Sequence, residues 1–354
     1  MMSQKNELRG GRITQTVWQR SVRKQLHTKR AETIWEPSPW EVCSGLELSG
    51  GRRAAWADVQ LSGSTARTGY YAVYHAAGNL AARGISAIGV SIRFLLPQGS
   101  SEECLAELVS GIEQACSELK MQVTSLDGDV TGAVSRIVVS ASASGEIADA
   151  AERPGNCGPD PAGTFEILMC GYTGLEGMLR ILDEAEEELA SHFVSTFLAQ
   201  ASALSKELVR PEQILSVTGC GAATARQIGR GGVLAALWEL AESEHLGFEI
   251  GMPQIPLKQE TVELCEYYRL NPYLMTSAGS YLILAKDARK VSELLRGAGV
   301  RAARLGTARA QNARVIRNGE ETRYLDRPAR DELDRWQEER RTPGNRSSHD
   351  EKER

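Results

Sequence analysis

Leu105, Leu108, Ile112 and Cys116 fall three or four residues apart in SSEECLAELVSGIEQACSELKM. That spacing puts all four on one stripe of a helix. Ser101 is placed to cap the helix, and Glu103 lies in the positive field of its first turn. On both sides of it the pattern changes to strand. SAIGVSIRFLL, ended by Pro97, and RIVVSASASGEI run apolar or alternate. WADVQL and YYAVYHA read as strand-like segments, and AAGNLAARG reads as a small-residue helix ending at Gly84. Upstream, Ile13, Val17, Val22 and Leu26 predict a basic amphipathic helix that docks on the protein's own body or a neighbouring subunit.

AERPGNCGPDPAG, residues 151–163, is the strongest break in the pattern and marks a boundary. Beyond it, TFEILMCGYTGLEGMLRIL predicts a strand, a glycine turn and a helix that continues as one long acidic helix through Glu188 and Leu198. ILSVTGCGAATARQIGRGGVLAALWELAE gives a second strand-turn-helix transition, in which Gly231-Gly232 opens the helix. YLILAKD, KVSELLRGAG and a strand pair turning at Asn318-Gly319 follow. From Asp331 the chain is nearly all charged or small, which predicts disorder after one or two helical turns. The division is 1–40, a basic helix and linker; 41–152 and 162–330, two folded domains; and 331–354, a charged tail.

Composition narrows the class. The chain of 354 residues carries a formal net charge of −5, which argues against nucleic acid as its main partner. No window supplies the roughly 20 apolar residues of a membrane span, and the N-terminus lacks the apolar core of a signal peptide, so a cytoplasmic protein is expected. Seven cysteines, never spaced Cys-x-x-Cys, predict reduced and mostly buried thiols, and five scattered histidines suggest no metal centre.

TGYYAVYHAAGNLAARGISAIGVSIRFLLP, GLEGMLRIL, GRGGVLAALWELAE, IPLKQETVELCEYYRLNPYLMTSAGSYLILA and RLGTARAQNARVIRNGEE stand in the order that marks the aminoimidazole ribonucleotide synthetase superfamily. The sequence resembles that superfamily from about Gly11 to Leu333, and within it the branch of the hydrogenase-maturation carbamoyl dehydratase. The resemblance implies a two-domain α+β fold. Its N-terminal four-stranded sheet carries helices and pairs with a second subunit, and its C-terminal domain is a layered α/β unit with ATP bound between the two. It also implies carboxylates that hold magnesium on the triphosphate, since magnesium demands hard oxygen ligands.

Those carboxylates are where this sequence departs. In LSGGRRAAW, Arg53 stands where the resemblance implies a metal-binding Asp; Asn79 replaces a second; and Ser125-Leu126-Asp127-Gly128 replaces a glycine-rich turn, keeping Asp127. Gly171 replaces a Lys ahead of Gly174-Leu175-Glu176-Gly177. Arg226-Gln227-Ile228-Gly229-Arg230-Gly231-Gly232 has Gln227 for another Asp, and no cysteine follows Cys265, where the dehydratase has a reactive one. Arg53, Asn79, Asp127, Gly174, Glu176, Arg226, Gln227, Arg230, Gly231 and Gly232 are therefore the candidate ligand-binding residues, with no catalytic residue and no metal ligand assigned. A cation beside a magnesium ion opposes it by several kcal/mol, about 4 kcal/mol for unit charges 4 Å apart at an effective dielectric of 20. The leading reading is a dimeric binding or scaffolding protein that has lost magnesium–ATP chemistry. Two others stay open: Arg52, Arg53, Arg226 and Arg230 binding a phosphate-bearing ligand without metal, and an ATP-dependent enzyme activating an amide or carbamoyl oxygen through Asp58, Asp127 and Asp129. ATP thus remains a possible ligand, with magnesium disfavoured. A homodimer is expected, and a heterodimer with an active paralogue stays open.

Overall fold

The structure, a computed structural model, describes residues 7–8, 10–148, 163–220 and 223–340. The predicted boundary at 151–163 therefore falls almost wholly outside the described residues, as do 341–354. Near the N-terminus the predicted amphipathic helix is a shorter, irregular run: α1 (Gln15–Val17), a π turn (Trp18–Val22) and a 3-10 turn (Arg23–Gln25). It docks on the chain's own body, where Arg12 bonds Glu239 and Gln15 donates to Glu242 at 3.1 Å.

Strands β1 (Cys43–Glu47), β2 (Arg53–Gly63), β3 (Gly89–Pro97), β4 (Gln122–Thr131) and β5 (Ile137–Glu146) form a five-stranded sheet ordered β1-β2-β5-β3-β4, not the four-stranded sheet expected. Neighbours are antiparallel except the parallel pair β3 and β4. Pattern alone finds neither β1 nor β4, and it misassigns YYAVYHA, which lies in α2 (Thr68–Ala82). Every residue of that helix is buried. A helix enclosed on all sides shows no polar stripe, so its aromatic and β-branched residues read as strand. α3 (Glu102–Leu119) packs beside it, capped by Ser101 as predicted, and together they cover one face of the sheet with Leu108, Ile112, Val90, Ile92, Val139 and Ala141 at the core.

The second sheet has seven strands: β6 (Thr164–Cys170), β7 (Ala223–Gln227), β8 (Gly247–Gly251), β9 (Tyr281–Ala285), β10 (Ala302–Arg309), β11 (Arg314–Asn318) and β12 (Glu321–Tyr324), ordered β12-β11-β8-β10-β6-β9-β7. α8 (Gly232–Glu244) covers one face through Val233, Leu237 and Leu240; α7 (Pro211–Thr218) and α10 (Ala288–Gly297) cover the other through Ile214, Val217, Val291 and Leu295. The predicted long acidic helix is three helices, α4 (Leu175–Glu184), α5 (Glu186–His192) and α6 (Ser195–Ala203), broken at Ala185 (φ −126°) and at the extended Phe193. Leu175, Met178 and Ile181 of α4 enter the core of the first sheet, and α9 (Gln259–Tyr268) packs against α4.

The start of the charged tail is structured. α11 (Glu332–Glu339) forms the one or two turns expected, and it is not a loose end: Leu333, Trp336 and Gln337 are buried. Gln337 donates to the Ser62 carbonyl at 3.2 Å and to Glu184 at 2.6 Å, and its own carbonyl accepts from Arg136 at 2.6 Å. The segment thus ties β2, α4 and the loop before β5 together. Of the seven cysteines, the six described are free, and four of these are buried.

Candidate functional site

Where α2 meets β7, two amides that replace expected carboxylates bond each other. Gln227 Nε2 donates to Asn79 Oδ1 at 2.9 Å and to the His75 carbonyl at 2.8 Å, while Gln227 Oε1 accepts from the Gly279 amide at 3.3 Å. Both side chains are buried. Gly78 makes room for this arrangement: a Cβ there would lie 2.0 Å from Gln227 Oε1 and 2.6 Å from the Tyr281 hydroxyl. The crevice beside Asn79, Arg83, Arg226 and Gln227 encloses only about 30 Å³, room for a water molecule or two and far from the several hundred Å³ a nucleotide needs.

The loop between Leu274, the end of a 3-10 turn (Pro272–Leu274), and β9 carries the network on to α4. Glu176, 1% exposed, accepts from the Ala278 amide at 3.4 Å and pairs with Arg180 at 3.2 Å, and Arg180 donates to the Ser62 carbonyl at 2.6 Å. Gly174 caps α4 and donates to Ser277 Oγ at 2.5 Å. His75, between the two groups, is buried with Nδ1 unpartnered among the described residues; burial lowers its pKa to about 4, so it is neutral at physiological pH.

At the α8 turn, Gly231 donates to Asp331 Oδ2 at 2.6 Å, and Asp331 Oδ1 accepts from Leu333 at 2.8 Å. One carboxyl group therefore caps the start of α8 and that of α11. Desolvation, then the neighbouring Asp334 charge, raises the Asp331 pKa from 3.8 to about 7 despite the two N–H donors. The folded state then holds a proton that the unfolded chain has released, so this group's contribution to stability is present below about pH 4 and is lost as pH rises through 7. His75 acts in the opposite sense, its contribution being lost as pH falls from 6.5 through 4. Comparing Asp331→Asn with the parent isolates Asp331: the variant should gain melting temperature relative to the parent as pH rises from 5 to 8. An identical pH dependence of the two proteins would contradict this assignment.

The structure thus brings together Asn79, Gly174, Glu176, Arg226, Gln227, Arg230, Gly231 and Gly232 of the sequence candidates, and sets Arg53 and Asp127 apart. Arg53 opens β2 opposite Glu47, and its carbonyl accepts from Ile147 at 3.0 Å. Asp127 is in no turn. It lies exposed in the middle of β4, an edge strand, opposite Arg93 and bonded to its own neighbour Gly128 at 3.0 Å. Asp129 shares that strand, and Asp58 is exposed on β2. The arginines are engaged: Arg226 with Glu239 and the Trp40 carbonyl, Arg230 with both oxygens of Asp334, and Arg52 with Glu146. His75, Arg180 and Asp331 escaped the sequence reading. The first two had a faint signal, each standing four residues along a helix from a candidate, Asn79 and Glu176.

The described residues do not offer the cluster of carboxylate oxygens that magnesium prefers. The positions where carboxylates were expected offer a guanidinium, two amides bonded to each other and one distant carboxylate, and among the described residues no three His, Cys, Asp or Glu side chains converge to hold a metal.

Comparison with known proteins matches residues 54–147 to the N-terminal domain and residues 177–317 to the C-terminal domain of AIR synthase related protein. The chain is 24% identical over 230 residues to a putative hydrogenase expression/formation protein of Methanocaldococcus jannaschii, covering 64% of this chain and 65% of that one, just under two thirds of its length. It is 25% identical over 261 residues to the carbamoyl dehydratase HypE of Rhodobacter capsulatus, covering 70% and 72%. A crystal structure of the hydrogenase maturation protein HypE in complex with ATP shares the fold, with TM-score 0.59 at 19% identity over 82% of this chain and 88% of that one.

Proposed function

We propose that this chain, which belongs to the AIR synthase related protein family, is a dimeric binding or scaffolding member in which magnesium–ATP chemistry is closed. The observation that carries the reading is the Asn79–Gln227 bond. An amide pair is self-satisfied: one side donates, the other accepts, and neither presents the paired negative charge that draws a magnesium ion. The nearby crevice has no room for a triphosphate. Dimerisation is supported by β4, whose ten residues form a sheet edge with Leu126 and Val130 exposed on it. Among the described residues no helix is long and apolar enough to cross a membrane, and a cytoplasmic location goes with this reading.

Calorimetric titration of the purified chain with ATP, with and without magnesium, tests the proposal. No magnesium-dependent heat and no phosphate release are expected, from a sample whose solution mass is twice the 38.6 kDa of one chain. Magnesium-dependent turnover would restore the reading of an ATP-dependent enzyme acting on an amide or carbamoyl oxygen, as the HypE likeness would have it.

A further inference from the structure

Beyond the Arg226–Glu239 pair lies a chamber of about 720 Å³, roofed by Leu8 and by residues of the segment 10–17 and walled by the start of α8 and by residues 327–334. We propose that it is a binding site for an organic anion with a planar aromatic body, a carboxylate or a phosphate monoester. Its volume falls in the range of small-molecule sites, several hundred to about 1,000 Å³. Two indoles, Trp40 and Trp238, line it. Trp238 is held by the Arg314 guanidinium stacked 3.9 Å from its ring centre, so a flat surface is ready for a ring.

Charge selects the rest of the ligand. Arg12, Arg230, Arg327 and Arg330 face the chamber, and its inner carboxylates are already taken. Glu239 is held by Arg12 and Arg226, Asp334 by Arg230, and Asp331 by two backbone amides. Glu7, the remaining carboxylate, is exposed. What is left over is donor capacity. Among the described residues Arg327 bonds the Thr16 hydroxyl, at 2.9 Å, and no carboxylate, while Arg330, paired with Glu338 at 2.6 Å and donating to the Asp334 carbonyl at 3.1 Å, keeps a buried Nε with no acceptor. A bound molecule must therefore bring acceptor oxygens, and a carboxylate or phosphate matches the guanidinium fork. Arg12, Trp40, Arg327 and Arg330 lie outside the segments that match the family domains, whereas Arg230, Trp238 and Glu239 lie inside the C-terminal one, so the flanks of this chain complete a wall that the family domain begins. It needs neither magnesium nor the Asn79–Gln227 region, and it stands or falls independently of the function proposed above.

The test is tryptophan fluorescence of the full chain in chelator, titrated with adenosine 5′-monophosphate and with 1-naphthoate, against adenosine, 1-naphthalenemethanol and inorganic phosphate. Quenching by at least one aromatic anion is expected, with its neutral counterpart and inorganic phosphate at least about tenfold weaker. Which anion binds distinguishes phosphate from carboxylate. Arg327→Ala should weaken that binding about tenfold while leaving the melting temperature unchanged, since the side chain is exposed and bonds one hydroxyl; Trp40→Phe should reduce the quench. Equal binding of neutral and anionic probes, binding indifferent to Arg327→Ala, binding that requires magnesium, or no binding up to millimolar probe would each overturn the proposal. If Trp40→Phe does not fold, Arg327→Ala decides alone.

Discussion

Arg180→Met is expected to destabilise the folded chain by about 3–5 kcal/mol, the cost of leaving one partner of a buried ion pair uncompensated. Arg180 is 5% exposed and Glu176 1% exposed, and their 3.2 Å contact is the only ion pair either makes among the described residues. Without the guanidinium, Glu176 keeps one backbone donor, Ala278 at 3.4 Å, and the Ser62 carbonyl loses the Arg180 donor but keeps Gln337. The double variant Glu176→Gln/Arg180→Met removes both charges and should recover most of the loss, because a buried pair contributes little net stability over neutral groups of similar size. Urea unfolding of the parent, single and double variants measures all three. A single variant no less stable than the double would show that the pair is not the electrostatic unit described here.

The same site shows what a sequence can and cannot reveal. The strand-turn-helix transitions at β6–α4 and β7–α8 were legible because the apolar period changes there across a glycine, and the structure keeps both turns, although the ILSVT that heads the second stretch is the end of α7 and the strand is Ala223–Gln227. Glu176 and Gln227 fell inside those motifs and are joined through the adjacent amides of Ala278 and Gly279, and Gln227 meets Asn79 of the small-residue helix. Asp127 was misplaced because Leu126-Asp127-Gly128 has the composition of a turn. In the structure Gly128 is a strand residue whose missing side chain admits the Phe94 ring, 2.3 Å from where a Cβ would stand. Glycine serves both close packing and turns, and local sequence does not distinguish them. Asp331 was hidden for a related reason. Its surroundings are charged and small, the signature of a solvated tail, and only tertiary contacts with Gly231, Ser62 and Glu184 turn that tail into part of the core. The arginines reversed the expected sign of charge in the sequence, and the structure answers most of them with carboxylates: Glu239, Asp334 and Glu146. What read as a cationic surface for phosphate is largely internal ion pairing.

The amide pair can be turned back into the charges the family resemblance expects, and the outcome should depend on magnesium. In Asn79→Asp/Gln227→Asp the donor of the 2.9 Å bond is gone, and two carboxylates face each other in a buried setting. At about 4 Å and an effective dielectric of 20 their repulsion is about 4 kcal/mol, before any cost of desolvation. The double variant should melt well below the parent in chelator. Millimolar magnesium should then raise its melting temperature, since a cation bound only by the folded state stabilises it in proportion to RT ln(1 + [L]/Kd), while leaving the parent unmoved. Asn79→Asp keeps the Gln227 donor but buries one carboxylate without a counter-ion, so it should melt below the parent and above the double variant, and the gap between the two variants reads the added repulsion. A parent stabilised by magnesium–nucleotide to the same degree as the double variant would mean that the amide pair never closed the site, and the proposed loss of the ancestral chemistry would fall with it.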